Sequence, residues 1–370
     1  MRLTRLAVAR FRNLEAVSIN PGPRFNLLYG LNGQGKTNLL EALYLLGSPR
    51  SFRHARLPEL IRHGEQLAQV QGDIESMAGR CRINLSLEKG GRRVEIDGKG
   101  IQRASELHGR LNAVVFSPDD TGMVRLGPEL RRRYLDRAVY TGDIGYLHSW
   151  HAYHRILKQR NQLLKSGKMD GLDVWTEQLA ETGADVIERR HQYIRRLDLI
   201  LKQHYSTIAG TGETVSISYL PEGVEGNDRN QIRVNLLDLL QRHQKQDERY
   251  GTTSAGPHRD DLFFRLEGRP LKSFGSQGQQ KSFVLALKMA EMDHLQDIFG
   301  EAPLLLLDDM NSELDARRNN NLMEYLVSRT IQVFITTTEP SAALTGLLPH
   351  CAVFHVEDGN LTFEGNQTHD

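Results

Sequence analysis

The hydrophobic rhythm of the chain changes several times. FNLLYG, Phe25–Gly30, is a short run, apolar but for Asn26, and predicts a buried strand. In TNLLEALYLLG, from Thr37, apolar positions return every three to four residues and predict a helix. CRINLSLEKGGRRVEIDGKGI, from Cys81, alternates with period two and predicts a hairpin turning at Gly90-Gly91. LNAVVFSPDD, from Leu111, predicts another buried strand ended by a turn. From about Pro128 the character shifts to long polar segments of helical spacing, ELRRRYLDRAVYTGDIGYLHSWHAYHRILKQRNQLLKSG and WTEQLAETGADVIERRHQYIRRLDLILKQHY. VSISYLPEG returns to strand, and NQIRVNLLDLLQRHQKQDERYG to helix. DDLFFRLEG, a helix from Gln277, the strand PLLLLDD, a helix near Arg317–Arg329 and the strand IQVFITTT close the series. The reading is an α/β domain built from both ends of the chain, residues 1–125 and 255–370, around a mostly helical insert, 126–254.

Bulk properties narrow this picture only in part. The 370 residues allow two or more domains, and 39% hydrophobic with 25% charged is ordinary for a globular protein. No apolar run approaches the ~20 residues that span a bilayer, so no membrane association is expected. The first residues, MRLTRLAVARFRNLE, lack the apolar core and cleavage site of a secretory leader. Two cysteines far apart, Cys81 and Cys351, make a disulfide framework unexpected and a reducing cytoplasm the default. Net charge is +1, so any nucleic-acid binding would need a local basic surface.

The chemistry begins at Gly30–Thr37, GLNGQGKT, which fits G-x-x-x-x-G-K-[ST] with a strand before it and a helix after. Glycines let successive backbone N–H groups turn inward on phosphate oxygens, and the helix N-terminus adds partial positive charge. Gly30, Asn32, Gly33, Gln34, Gly35, Lys36, Thr37 and Asn38 are the candidate nucleotide-binding residues; Lys36 reaches toward the β- and γ-phosphates, and the Thr37 hydroxyl is a ligand for Mg²⁺. In PLLLLDDMNSELD the four leucines predict a buried strand with Asp308 at its carboxyl end, a second Mg²⁺ candidate; Asp309, next to it, is the candidate general base for the attacking water. In KSFGSQGQQKSFVLALKMAE, Ser276 caps a helix, and Ser276, Gly278 and Gln279 form a second candidate anion site at its start.

The order of phosphate loop, insert, SQGQ, LLLLDD and then SELD (Ser312–Asp315) is that of ABC-type ATPases. The details FRNL (Phe11–Leu14), GLNGQGKTN, SFR (Ser51–Arg53), VVFSPDD, RRRYLD, GPHRDD (Gly256–Asp261), FGSQGQQK, LLLLDDMNSELD and VFITTT resemble the RecF family of bacterial recombination-repair ATPases, related to SMC proteins. The resemblance runs from Phe11 to Thr338. It implies an α/β, SMC-like ABC-type core with an inserted helical arm that contacts DNA or a partner. It implies binding of ATP and Mg²⁺, a homodimer formed with ATP, sequence-independent binding of duplex DNA and single-strand/duplex junctions, and work with RecO and RecR in loading RecA at gaps. By position it makes Lys36 and Thr37 Walker A, Asp308 and Asp309 Walker B, and Ser276 the signature serine. VVFSPDD stands where a glutamine-bearing loop belongs, yet holds no glutamine. Asp309, one methylene shorter than the commoner Glu, and Thr338, where many ABC ATPases have His, imply slow turnover suited to a switch.

Basic residues of the insert are candidates for phosphate contact: Arg131–Arg133, Arg155, Lys158, Arg160, Lys165, Lys168, Arg189, Arg190, Arg195 and Arg196. Nearby acids equally allow a solvated face. His148, His151 and His154 are spaced i, i+3, i+6 without a completing carboxylate or cysteine, which argues against a metal site. His258 in GPHRDD reads as a structural brace or part of a DNA face. The main rival function is the ATPase subunit of a membrane transporter; a P-loop nuclease and a small-molecule kinase fit less of the sequence.

Overall fold

The computed structural model describes residues 1–48, 50–167, 169–226, 228–309, 316–340, 348 and 350–367. They pack as two units: residues 1–121, 203–212 and 276–370, and residues 122–202 and 213–275.

The first unit carries two six-stranded sheets. One is antiparallel, ordered β2-β1-β4-β5-β6-β7, from β1 (Arg2–Phe11), β2 (Leu14–Ile19), β4 (Leu67–Ser76), β5 (Gly79–Glu88), β6 (Gly91–Ile96) and β7 (Lys99–Gly100). Its alternating strands keep Leu3, Leu6, Val8, Val70, Ile74, Ile83 and Leu85 on one buried face. The other is ordered β15-β14-β3-β13-β12-β8, from β3 (Phe25–Tyr29), β8 (Ala113–Phe116), β12 (Leu304–Leu307), β13 (Val333–Thr337), β14 (Cys351–Glu357) and β15 (Asn360–Gln367). Its five strands from β14 to β8 run parallel, and β15 pairs antiparallel at the edge. Val114–Phe116 and Leu304–Leu307 are continuous apolar runs and Phe25–Leu28 is apolar but for Asn26; all are buried on both faces, as parallel strands require. The Lys36–Leu45 and Gln277–Phe299 helices belong to this unit.

The second unit is helical around one three-stranded sheet, β11-β10-β9, formed by β9 (Val215–Leu220), β10 (Asp261–Leu266) and β11 (Arg269–Pro270). Because β10 pairs with β9, residues 255–275 pack with the insert, and the chain re-enters the first unit at Ser276, later than the expected position 255. The long polar segment after Pro128 is two helices, Pro128–Gly142 and Ile144–Ser166. Asp143 divides them: its carboxylate accepts from Gly145 N at 2.8 Å and caps the second. The next segment is one helix, Leu172–Ala209, whose residues from Gln203 onward pack in the first unit.

Several arginines offered above as phosphate contacts are internal. Arg160 is 0% exposed and pairs with Asp247 at 2.7 Å and Thr253 Oγ1 at 2.7 Å. Arg190, 2% exposed, donates to Asp136 (2.6 Å), Pro257 O (2.7 Å) and Tyr146 Oη (2.9 Å). Arg131 holds Asp261 with two bonds of 2.7 and 2.8 Å. A buried guanidinium stripped of its carboxylate costs several kcal/mol, so these side chains are committed to the fold. Arg155, Lys158, Lys165, Arg195 and Arg196 are exposed. Lys168 lies outside the described residues. In GPHRDD, His258 Nδ1 bonds Tyr153 Oη at 2.6 Å and Nε2 lies 3.1 Å from Thr253 O; burial lowers its pKa to about 4. His154 stacks on Trp150 at 3.8 Å and bonds Trp150 O at 2.9 Å.

Candidate functional site

Residues 30–35 connect the carboxyl end of β3 to the Lys36–Leu45 helix. The backbone needs glycine at two points. Gly30 stands at φ 151°, where an added Cβ would lie 2.1 Å from Val356 O; Gly35 stands at φ 119° with Asn13 and Leu14 at 3.0 Å. Helical residues begin at Lys36, so the first N–H groups of that helix lack helical acceptors and face the loop. Lys36 is 8% exposed, and its amine donates to Gly30 O and, at 2.8 Å, to Leu31 O. Burial lowers its pKa, and the carboxylates of Asp309 and Asp308 oppose that shift.

Two segments that sequence reasoning gave no role hold the loop in shape. Asn13, in the turn between β1 and β2, donates to Gln34 O at 3.1 Å and accepts from Asn38 Nδ2 at 2.8 Å. At the β14–β15 turn, Asp358 N donates to Gln34 Oε1 and Gly359 N to Gln34 O at 2.9 Å. The side chains of Gln34 and Asn38, expected to meet nucleotide, thus both hold protein groups, and Arg53 Nη1 adds a 3.0 Å bond to Asn38 Oδ1. Asn32 and Gly33 are exposed. Behind the loop, Glu41 on the helix is fully buried and receives Arg12, whose Nη2 lies 2.9 Å from Oε1, and the Ser51 hydroxyl. The FRNL and SFR segments therefore converge on one buried carboxylate.

Asp308 follows β12, and β13 lies between β12 and β3. The three strands end together, which brings residues 271 apart in sequence into contact: Thr37 Oγ1 donates to Asp308 Oδ1 at 2.8 Å. Thr336, at the end of β13, donates to the same oxygen at 2.7 Å and accepts from Asp309 N at 2.9 Å. Thr336 escaped the sequence reading, although hydroxyls closing an apolar strand were a visible cue. Asp308 N bonds Phe116 O at 2.9 Å. Burial raises the Asp308 pKa, the Thr336 and Thr37 hydroxyls lower it, Asp309 raises it and Arg53 lowers it. Asp309 sits at φ 52°, a left-handed conformation uncommon outside glycine. Thr338 follows β13, half-buried.

Ser276 caps the Gln277–Phe299 helix: its Oγ accepts from Gln279 N at 3.2 Å, and Gln279 Oε1 accepts from Ser276 N at 2.7 Å. That reciprocal box leaves Ser276 exposed, with Gly278 close against the Arg318 guanidinium. Ser312–Asp315 lie outside the described residues. Among the described residues no cluster of three metal-ligating side chains occurs and no helix is long and apolar enough to cross a membrane.

The sequence profile of the RecF/RecN/SMC N terminal domain family matches residues 2–360. The chain is 52% identical over 368 residues to the DNA replication and repair protein RecF of Trichlorobacter lovleyi, covering all of both chains. It is 48% identical to that of Geobacter sp. strain M21, covering 98% of this chain and 100% of the relative. A solved structure of the recombination mediator protein RecF with ATP, from the RecFOR pathway, superposes with a TM-score of 0.90 at 33% identity, over 98% of this chain and 97% of that one. An Smc head domain from Pyrococcus furiosus shares the fold, with a TM-score of 0.58 at 14% identity over 99% of this chain and 96% of that one. The ABC-type, SMC-like α/β fold expected from the sequence is thus the one found. With a matching profile across nearly its whole length and half its residues identical to such relatives, the chain belongs to the RecF family of DNA replication and repair proteins.

Proposed function

We propose that the chain is an ATP-switched DNA-binding protein of recombinational repair, whose ATP-bound dimer clamps DNA near single-strand gaps, helps load RecA with RecO and RecR, and resets by slow, DNA-stimulated hydrolysis. The observation that carries this reading is the meeting of Thr37 and Asp308 at 2.8 Å beside the buried amine of Lys36. A hydroxyl and a carboxylate are the oxygen donors that Mg²⁺ prefers, and a glycine loop at a helix N-terminus is a phosphate cradle. These residues fit both groups. Mg²⁺, when bound, neutralises charge on the β- and γ-phosphates.

In this reading Gly30, Asn32, Gly33, Gln34, Gly35, Lys36, Thr37 and Asn38 surround the phosphates. Backbone N–H groups do most of the binding, and Asn13 and Asp358 keep the loop preorganised. Lys36 exchanges its carbonyl partners for phosphate oxygens. Thr37 and Asp308 hold Mg²⁺. Asp309 takes the proton of the attacking water, and its short side chain makes that positioning weak and turnover slow. Ser276, Gly278 and Gln279 meet the γ-phosphate held by the partner copy. The first unit acts as the ATPase core and the second as the DNA- or partner-binding arm, with Arg155, Lys158, Lys165, Arg195 and Arg196 its exposed cations. Family membership leaves the transporter alternative without support.

The test pairs binding with turnover. Asp309→Asn should bind a fluorescent ATP analogue with Mg²⁺ as wild type does, and lose hydrolysis with and without gapped DNA. Wild-type hydrolysis by that variant would remove Asp309 from the reaction, and loss of its ATP binding would place the carboxylate elsewhere in the site.

A further inference from the structure

The turn after β8 lacks the glutamine that ABC-type enzymes carry there, but it is not idle. Lys288, on the Gln277–Phe299 helix, is 0% exposed, and its amine lies 3.0 Å from Asp120 Oδ1. The other oxygen of Asp120 accepts from Ser117 N at 2.8 Å and from Ser117 Oγ at 3.1 Å. The preceding residue, Phe116, accepts from Asp308 N at 2.9 Å through its carbonyl, and β8 and β12 pair Phe116 with Leu307. A series of contacts, beginning with an ion pair, therefore runs from the helix that starts at Ser276 to the carboxylate that holds Thr37.

Lys288 lies twelve residues from Ser276, about 18 Å along the helix axis at 1.5 Å per residue. Around it the helix buries Val284, Leu285, Leu287 and Met289, an apolar setting in which a methionine would pack readily. Replacing both members of a buried ion pair by apolar groups is often neutral or stabilising, so stability alone gives no reason for an ammonium at this point. Its location, between two elements of the site, does give one.

We infer that Lys288 is a positioning residue for hydrolysis: through Asp120 it fixes the helix of Ser276 against the turn after β8, and so holds Ser276 and Asp308 of one chain in a set relation. The inference rests on the reading that both residues serve ATP turnover. Closure of Ser276 on a partner's nucleotide would then be felt at the chain's own Asp308, which ties the two nucleotide sites of a dimer to one another.

The experiment compares Lys288→Met, Asp120→Asn and the double variant by urea midpoint, ATP affinity of the monomer, kcat and KM. Each single variant should lower the midpoint, because it removes the ion pair between Lys288 and Asp120, and lower kcat on the order of ten- to hundredfold. Monomer affinity for ATP should stay within about twofold of wild type. The double variant should regain the midpoint and not the kcat. Recovery of kcat together with stability would reduce the pair to a brace, and wild-type kcat in either single variant would overturn the inference outright. If Lys288→Met fails to fold, the double variant, which removes both charges together, carries the same test. Wild-type protein that hydrolyses no ATP would overturn the functional reading and this inference with it, whereas a turning-over wild type with indifferent variants strikes only the inference.

Discussion

Lys36 separates the effect of charge from that of shape. Arginine at this position keeps the charge but brings a planar fork where a compact ammonium fits between Gly30 O and Leu31 O. Lys36→Arg should abolish hydrolysis while retaining part of the ATP binding; a wild-type rate in a phosphate-release assay would remove the loop from the site. His258 gives a second residue-scale prediction. Burial holds its folded pKa at about 4, below its ordinary value near 6.5, so the unfolded chain binds the extra proton between those values. Its contribution is complete above pH 6.5 and is lost as pH falls from there toward 4. Stability from urea titrations should therefore decline across that window, and less steeply in His258→Phe; equal slopes would clear this histidine. The environments of His258 and of the buried arginines were not legible in the sequence, because Tyr153, which meets His258, and the acids that meet the arginines lie far along the chain. Arg190 meets Asp136, 54 residues away, and Arg160 meets Asp247, 87 away.

At the scale of elements, local patterns carried much further. The strand–loop–helix around Gly30–Thr37 and the cap at Ser276 depend on residues within a few positions of one another, and both formed where the pattern put them. The clamps did not show, since Asn13 and Asp358 reach the loop from hairpin turns remote in sequence. Gly30 tests the fit of loop to sheet. Gly30→Ala must place a Cβ against Val356 O and hold alanine at positive φ, which together should cost about 3 kcal/mol or more in unfolding free energy. A change within about 0.5 kcal/mol would mean that β14 yields there. The Ser276 cap gives the sharper functional test. ATP has a γ-phosphate to offer the helix start of a partner and ADP has none, so ATP should favour the dimer through differential contacts. Ser276→Arg should then stay monomeric in sedimentation with ATP while binding ATP nearly as well as wild type. Dimerisation equal to that of wild type would end the role given to this helix.

For the molecule as a whole, formal charge is nearly balanced, with 47 basic and 46 acidic residues, so attraction to DNA has to come from arrangement rather than excess. Binding through phosphates predicts that log K falls linearly with log[salt] and varies little between duplex sequences. A flat salt response in gel shifts would set aside the exposed cations of the second unit as the contact surface. The parallel sheet takes β3 from near the start of the chain and flanks it with β13 and β14 from near its end. That order has a consequence for how the protein is made. A ribosome adding about 5–20 residues per second needs roughly 15–60 s to travel from Thr37 to the first residue of β14. Throughout that interval the phosphate loop exists without the strand that walls Gly30 and the turn that holds Gln34. ATP therefore cannot guide the nascent chain, and a product halted before residue 351 should fail to capture nucleotide. An interrupted message would yield inert fragments rather than competitors for nucleotide.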